Sequence, residues 1–271
     1  MREQKKEKMT VEDIVLYFSL KYDGDFEKIY QALLSKEPVD ETHKDELKES
    51  LKCQYTTIFS DDYPSRLRNI NCPPFVLYYY GNLSLLDNKT IAIVGTRSPD
   101  VQGIGITNKF ANHLSKEGRT IISGLSQGID YTALKFALFD KGRAVAVSST
   151  GIDNDILEDQ HTLYDNLKNN GLIISEYPNI VQFDPSHSAI RHRLIAGLSD
   201  SVLVTQCKEK SESMYTVGYA LDQGKDIFAV PSSSGDISLK GCNTLIKQGA
   251  TLADDVKDIL EANPQIDLEL E

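Results

Sequence analysis

No apolar run in these 271 residues approaches the roughly 18 that a membrane-spanning helix needs. The opening stretch, MREQKKEKMTVEDIV, is charged and lacks the apolar core of a signal peptide. Both absences point to a cytoplasmic chain with no membrane partner. Cysteine is sparse: Cys53, Cys72, Cys207 and Cys242 are scattered, with no CxxC and no metal-ligand spacing. They read as reduced thiols rather than as a zinc site or a disulfide framework. There is no GxxxxGK[ST], which excludes a P-loop ATPase. Tryptophan is missing too, which says nothing about function. Nor is there an excess of positive charge. The net charge is −11, from 29 basic and 40 acidic residues, which argues against indiscriminate coating of nucleic acid.

The charge that is present is unevenly placed. Between Lys89 and Arg143, eight basic residues stand against four acidic ones, whereas the stretch from Ala253 to Glu271 carries one lysine against seven acids. A local basic face on an acidic chain suits an anionic ligand, though ordinary solvated charges explain it equally well.

Residues 1–72 read as short helices. Thr10 is placed to cap "TVEDIVLYFSL", with Asp13 as the third residue of a capping box. "DFEKIYQALLSK" and the weaker "HKDELKESLKC" follow, and the Pro73-Pro74 pair marks the expected join. Over residues 73–263 compact apolar runs alternate with helical patterns. The runs are "IAIVG" (91–95), "TIISG" (120–124), "AVAVS" (144–148), "LIIS" (172–175), "VLVT" (202–205) and "IFAV" (227–230). Short, β-branched and not strictly alternating, they suit strands buried on both faces of a parallel sheet. The fold class is therefore α/β, a doubly wound, mostly parallel sheet preceded by a small all-α domain and followed by an acidic tail, 264–271. In such sheets ligands sit at the carboxyl ends of the strands.

Those ends hold the polar residues. The first strand ends in Gly95-Thr96-Arg97-Ser98: a glycine for close approach, two hydroxyls, and a guanidinium that can fork onto a phosphate. "GIGITN" (103–108) starts eight residues after that strand and lacks the third glycine of the dinucleotide fingerprint, so no NAD or FAD cofactor is expected. The second strand runs into "SGLSQGID": Ser123, Gly124, Gln127, Gly128 and Asp130, the last opening a helix. Glycines here would free backbone N–H groups for an anion, but a plain helix cap reads the same way. Further on, "SAIRHRLIAGLSDSVLV" sets Arg191 and Arg193 around His192 at the start of an apolar helix. His192 as a general base has no nucleophile arranged with it.

Taken together, "IAIVGTR", "ISGLSQGID", "ISEYP", "RHRLIAGLS", "SMYTVGYALDQGKDIFAVP" and "GCNTLIKQGA" resemble, in order and spacing, the DprA/Smf family of DNA-processing proteins over about Tyr78 to Ala250. The resemblance implies an extended Rossmann-like fold that binds single-stranded DNA, dimerises and helps load a RecA-type recombinase, as in natural transformation. It implies a sterile-alpha-motif-like helical N-terminus. On it, Gly95, Thr96 and Arg97 match the family's G[ST]R loop, Ser123 to Asp130 its SGLAxGID loop, and Arg191 and Arg193 its RNR arginines. Lys247 would extend the phosphate track.

The departures are as specific as the matches. His192 stands at the family's asparagine, Ser188 where an aromatic is common, Glu212 at a glycine, Gln206 at an acid and Leu134 at a histidine. Phe183 or His187 would have to supply a base-stacking ring. The family's C-terminal winged helix is not expected in so short a chain.

The sequence-based reading is thus a non-enzymatic single-stranded DNA-binding recombination mediator without a cofactor or metal. Met214 to Leu221 and "IFAV" are candidates for a homodimer face, although core packing explains both. The alternative is a nucleotide-binding or nucleotide-hydrolysing, phosphoribohydrolase-like protein. Its usual PGGxGTxxE loop is replaced by "SESMYTVGYA", which leaves Glu176 and Asp130 as the only carboxylates to weigh for acid–base work.

Overall fold

The computed structural model describes residues 9–154, 161–179, 181–232 and 240–262. The 264–271 tail lies outside them. Three helices come first: α1 (Val11–Lys21), α2 (Phe26–Leu34) and α3 (Glu41–Glu49). Thr10 caps α1 as expected, its hydroxyl accepting from the Asp13 N–H while the Asp13 carboxylate accepts from the Thr10 N–H. Val15, Leu16 and Leu20 of α1 pack into the main core beside Val76 and Tyr78, and the Tyr78 hydroxyl donates to Ser19 Oγ at 2.9 Å.

Among the described residues, nine strands then build one sheet. They are β1 (Gln54–Thr57), β2 (Val76–Gly81), β3 (Thr90–Gly95), β4 (Thr120–Gly124), β5 (Ala144–Val147), β6 (Leu172–Ser175), β7 (Ser201–Gln206), β8 (Asp226–Ala229) and β9 (Thr251–Leu252). Their spatial order is β1-β2-β6-β5-β4-β3-β7-β8-β9, with β3 to β9 parallel and β1 and β2 antiparallel at one side. All six apolar runs picked from the sequence are strands. Three further strands were not expected, of which β9 is only two residues long and pairs parallel with β8. β1 falls within the stretch read as helical, and β2 is the aromatic "VLYYYG", whose neighbouring prolines read as a turn. Both of these pair antiparallel and so lack the continuous β-branched signature of a strand buried inside a parallel sheet.

Alternation along each strand divides the core into two layers. Ile91, Ile93, Ile121, Ala144 and Ala146 face α1, α5 (Val101–Lys116), α6 (Ile129–Ala137) and α7 (His161–Asn170). Ala92, Val94, Ile122, Val145 and Val147 face α4 (Ser65–Arg68), α8 (Pro185–Leu198), α9 (Ser213–Asp222) and α10 (Lys240–Lys247). Gly118, in the left-handed region at φ +80°, stops α5 as its position suggested.

"IFAV" is completely interior, with β8 hydrogen-bonded on both sides by β7 and β9. It is therefore not available as a dimer face, which corrects that expectation. On α9, by contrast, Tyr215 and Leu221 are exposed. The sheet winds outward from β3 to β6, then returns to place β7 on the other side of β3. The carboxyl ends of β3 and β7 thus flank the switch point, where doubly wound sheets hold their ligands.

Candidate functional site

The chain leaves β3 through Gly95-Thr96-Arg97-Ser98 and leaves β7 through Gln206-Cys207-Lys208. The two exits are tied together. The Thr96 N–H donates to the Gln206 carbonyl at 2.8 Å, and the Ile129 N–H at the start of α6 donates to the Thr96 carbonyl at 3.1 Å. Gly95 and Gly128 make these contacts possible. A Cβ on Gly95 would lie 2.5 Å from the Gln206 carbonyl oxygen, and one on Gly128, at φ +85°, 2.4 Å from that of Thr96. These glycines let loop meet loop. The Thr96 N–H expected to face an anion is spent inside the protein, and the Ser98 N–H is turned to Thr96 Oγ1 at 3.2 Å.

The two arginines at the site differ in kind. Arg191, on α8, is buried beneath the end of β4, where its Nη2 donates to Ser126 Oγ at 3.1 Å and lies 3.9 Å from Asp130 Oδ2. Gly124 makes room for it, since a Cβ there would meet both Arg191 Cζ and Asp130 Oδ2 at 2.7 Å. Its Nε has no hydrogen-bond partner among the described residues. Arg97 is half exposed and ion-paired with the equally exposed Glu212.

Arg97, Ser126 and Arg191 form the wall between two clefts. The first, of about 430 Å³, is completed by Gln127, Ser188, the hydroxyl loop Ser148-Ser149-Thr150 and the exposed ring of Phe183. The second, of about 230 Å³, is completed by Thr96, His192, Lys208, Lys210 and Glu212.

Burial governs the titration of this wall. Desolvation pushes the Asp130 carboxyl up to about 7, against the pull of Arg191. The same desolvation lowers Arg191. His192 is pushed down to about 3 by burial first and then by Arg191 and Arg97, so its ring is neutral. Its Nδ1 is 2.7 Å from Thr216 Oγ1, while Nε2 has no hydrogen-bond partner among the described residues. So weak a base does not fit the general-base reading.

Of the residues expected from sequence, the structure brings Gly95, Thr96, Arg97, Gln127, Gly128, Arg191 and His192 to this rim. Gly124 is there as the space Arg191 occupies. Three others sit elsewhere. Ser123 is buried and donates to the Ile93 carbonyl at 2.6 Å. Arg193 points to the other side of α8, 2.7 Å from the buried carboxylate of Glu176, and lines neither cleft. Lys247 closes α10, whose first turn meets β7 at Cys207. Six positions beyond Gly241, it stands roughly 9 Å further along the helix axis. His187 is stacked on Tyr177 with centroids 4.0 Å apart, which leaves Phe183 as the free ring.

The sequence reading missed Lys208, Lys210 and Ser126. "CKEK", with two lysines immediately after a strand, was the available signal.

With this geometry in hand, comparison with known proteins is informative. The family model for DNA recombination-mediator protein A matches residues 54–264. The DNA processing protein DprA of Bacillus subtilis is 36% identical over 209 residues, covering 77% of this chain and 70% of that protein. Its counterpart in Streptococcus pneumoniae is 37% identical over 222 residues, covering 82% and 78%. The crystal structure of the S. pneumoniae protein superposes with a TM-score of 0.77 over 95% of this chain and 94% of that one, at 34% identity. DNA processing protein A of Helicobacter pylori, solved for its single-stranded DNA binding mode, gives 0.70 over 78% and 96%, at 29% identity.

Proposed function

The chain belongs to the DNA recombination-mediator protein A family, and on that premise we propose that it binds single-stranded DNA at the β3/β7 switch point as a non-enzymatic recombination mediator. The observation that carries this reading is the setting of Arg97. It is a half-exposed guanidinium at the shared wall of two open clefts, with Lys208 and Lys210 on one side and the exposed Phe183 ring on the other. Strand phosphates would take the cations, and a base would take the ring, the combination single-strand binders use. Phosphate contacts are blind to sequence, so binding is broadly sequence-independent. The negative charge of the rest of the chain restricts contact to this rim.

Neither carboxylate weighed for catalysis suits it. Asp130 is buried against Arg191, and Glu176 is buried against Arg193. We take the helices over 11–49 as a module preceding the sheet, and the exposed side of α9, with Tyr215 and Leu221, as the homodimer candidate. Loading of a RecA-type recombinase in the cytoplasm completes the proposal.

The experiment is fluorescence anisotropy of a labelled oligothymidine across a salt series, wild type beside Arg97→Ala. Losing one charge-assisted phosphate contact should cost roughly 1.5–3 kcal/mol, about ten- to a hundredfold. The log–log salt slope should become shallower by about 0.7, one single-strand phosphate contact. If neither protein binds, the DNA reading fails. Calorimetry with nucleoside monophosphates then tests the small-nucleotide reading, which the 430 Å³ cleft is large enough to serve.

A further inference from the structure

Cys207 and Cys242 are 35 residues apart in sequence, and the fold sets their sulfurs 3.7 Å from each other in the core. Cys207 is the residue on which β7 leaves the sheet, and Cys242 lies in the first turn of α10. The contact is built closely. A Cβ on Gly241 would lie 2.5 Å from Cys207 Sγ, so only glycine lets the helix start press against that sulfur. The Gly241 N–H donates to the Cys207 carbonyl at 3.2 Å, which fixes the two backbones side by side. Cys53 and Cys72, half-buried and exposed respectively, are free cysteines.

We propose that Cys207 and Cys242 form a redox-active dithiol, which a peroxide-class oxidant converts into an intramolecular disulfide tying the end of β7 to the start of α10. A disulfide holds its sulfurs about 2.05 Å apart, so closure needs an approach of about 1.7 Å. Two adjacent side chains can supply that by small rotations. Cys242 is the attacking sulfur. Either sulfur can donate across this contact; with Cys207 as the donor, Cys242 is held below the ordinary thiol range, and it lies in the first turn of α10, where the helix dipole favours a thiolate. Cys207 is raised by the same contact and by burial, and stays a thiol.

In the first step the Cys242 thiolate attacks one oxygen of hydrogen peroxide. An S–O bond forms, the O–O bond breaks, and the departing hydroxide takes up a proton to leave as water. In the second, Cys207 attacks the sulfenic sulfur. The S–S bond forms, the S–O bond breaks, and hydroxide leaves with the thiol proton as a second water. Two thiols are oxidised and one peroxide is reduced to two waters. Both sulfurs are buried, so the reaction requires local opening around α10 to admit so small an oxidant. The bridge would stiffen the segment that precedes Lys208 and follows Gln206, the residue that holds Thr96 and Asp100.

The test needs no assumption about DNA. A full-length Cys53→Ala/Cys72→Ser variant is treated with hydrogen peroxide in native buffer, then analysed by thiol titration, circular dichroism and non-reducing peptide mapping. Both remaining thiols should disappear together in a folded chain free of intermolecular bridges, map to one linked pair of peptides, and return with dithiothreitol. Thiols that survive in native buffer but react in urea would overturn the proposal, as would oxidation to sulfinic acid or to an intermolecular bridge. Replacing the nucleophile as well, by Cys242→Ser, should leave Cys207 unreactive. A Cys207 oxidised just as fast alone would overturn it too.

Discussion

Arg97 and Glu212 close an ion pair across the edge of the second cleft, one from the loop after β3 and the other from the turn into α9, with both side chains about half exposed. Arg97 therefore meets a carboxylate before it can meet a phosphate. Exposed pairs of this kind are worth about 0–1 kcal/mol, so the carboxylate can be displaced, at a cost. Replacing it removes both that cost and a repulsive charge. Glu212→Gln should tighten oligothymidine binding up to about fivefold, since 1 kcal/mol is close to that factor. Anisotropy at low and moderate salt checks this, and unchanged affinity would mean that the pair does not compete with DNA.

Phe183 should contribute to affinity without contributing charge. Its ring is 56% exposed within the first cleft. Truncation to alanine should cost about 1–3 kcal/mol if a base stacks there. The salt slope should not change, because no phosphate contact is lost. That pattern separates it from Arg97→Ala, which should move both.

Gly124 is a packing position, because the side chains of Arg191 and Asp130 fill the space its own would take. In Gly124→Ala the new methyl would meet Arg191 Cζ and Asp130 Oδ2 at 2.7 Å, the ends of two side chains that are buried and set against each other, so one of them must shift. Overpacking of this kind costs roughly 1–3 kcal/mol. Urea unfolding should therefore show a lower midpoint, and binding should fall as Arg191 is displaced from the wall.

Asp130 should give stability a pH dependence. Its folded-state value, about 7, stands above its ordinary 3.8 because burial outweighs the attraction of Arg191. In that window the unfolded chain has released a proton the native chain still holds. This group's contribution is complete below about 3.8, and as pH rises towards 7 it falls by about 1.4 kcal/mol per unit. Above 7 it is lost. Asp130→Asn should flatten the stability profile between pH 4 and 7, as measured by denaturant melts, and a profile identical to wild type would refute the assignment.

Much of this was legible in the sequence for local reasons. Strands buried on both faces must be apolar throughout, so the six runs from "IAIVG" to "IFAV" stand out, and the Thr10–Asp13 box is a three-residue pattern that works wherever it occurs. Gly95-Thr96-Arg97 marked the rim because a strand ending in glycine, hydroxyl and arginine is itself an anion-binding chemistry. β1 and β2 escaped notice because an antiparallel strand beside a proline-rich turn has no such signature.

What only the tertiary structure decided is which side chain meets which. Arg191 and Arg193 are two positions apart in sequence, yet the helix turns one into the cleft wall and sends the other to Glu176. Gly124 and Gly128 looked like a cradle for an anion and proved to be clearances for Arg191 and for the Thr96–Arg97 backbone. Glu212 and Arg97 are 115 residues apart, and Cys207 and Cys242 are 35 apart. The sequence determined the sheet, its direction and the chemistry gathered at its carboxyl ends, because burial and strand-end loops are local properties. The pairings across the rim were fixed only when crossovers brought β3, β7, α8 and α10 together, because contact across a fold depends on topology and not on sequence distance.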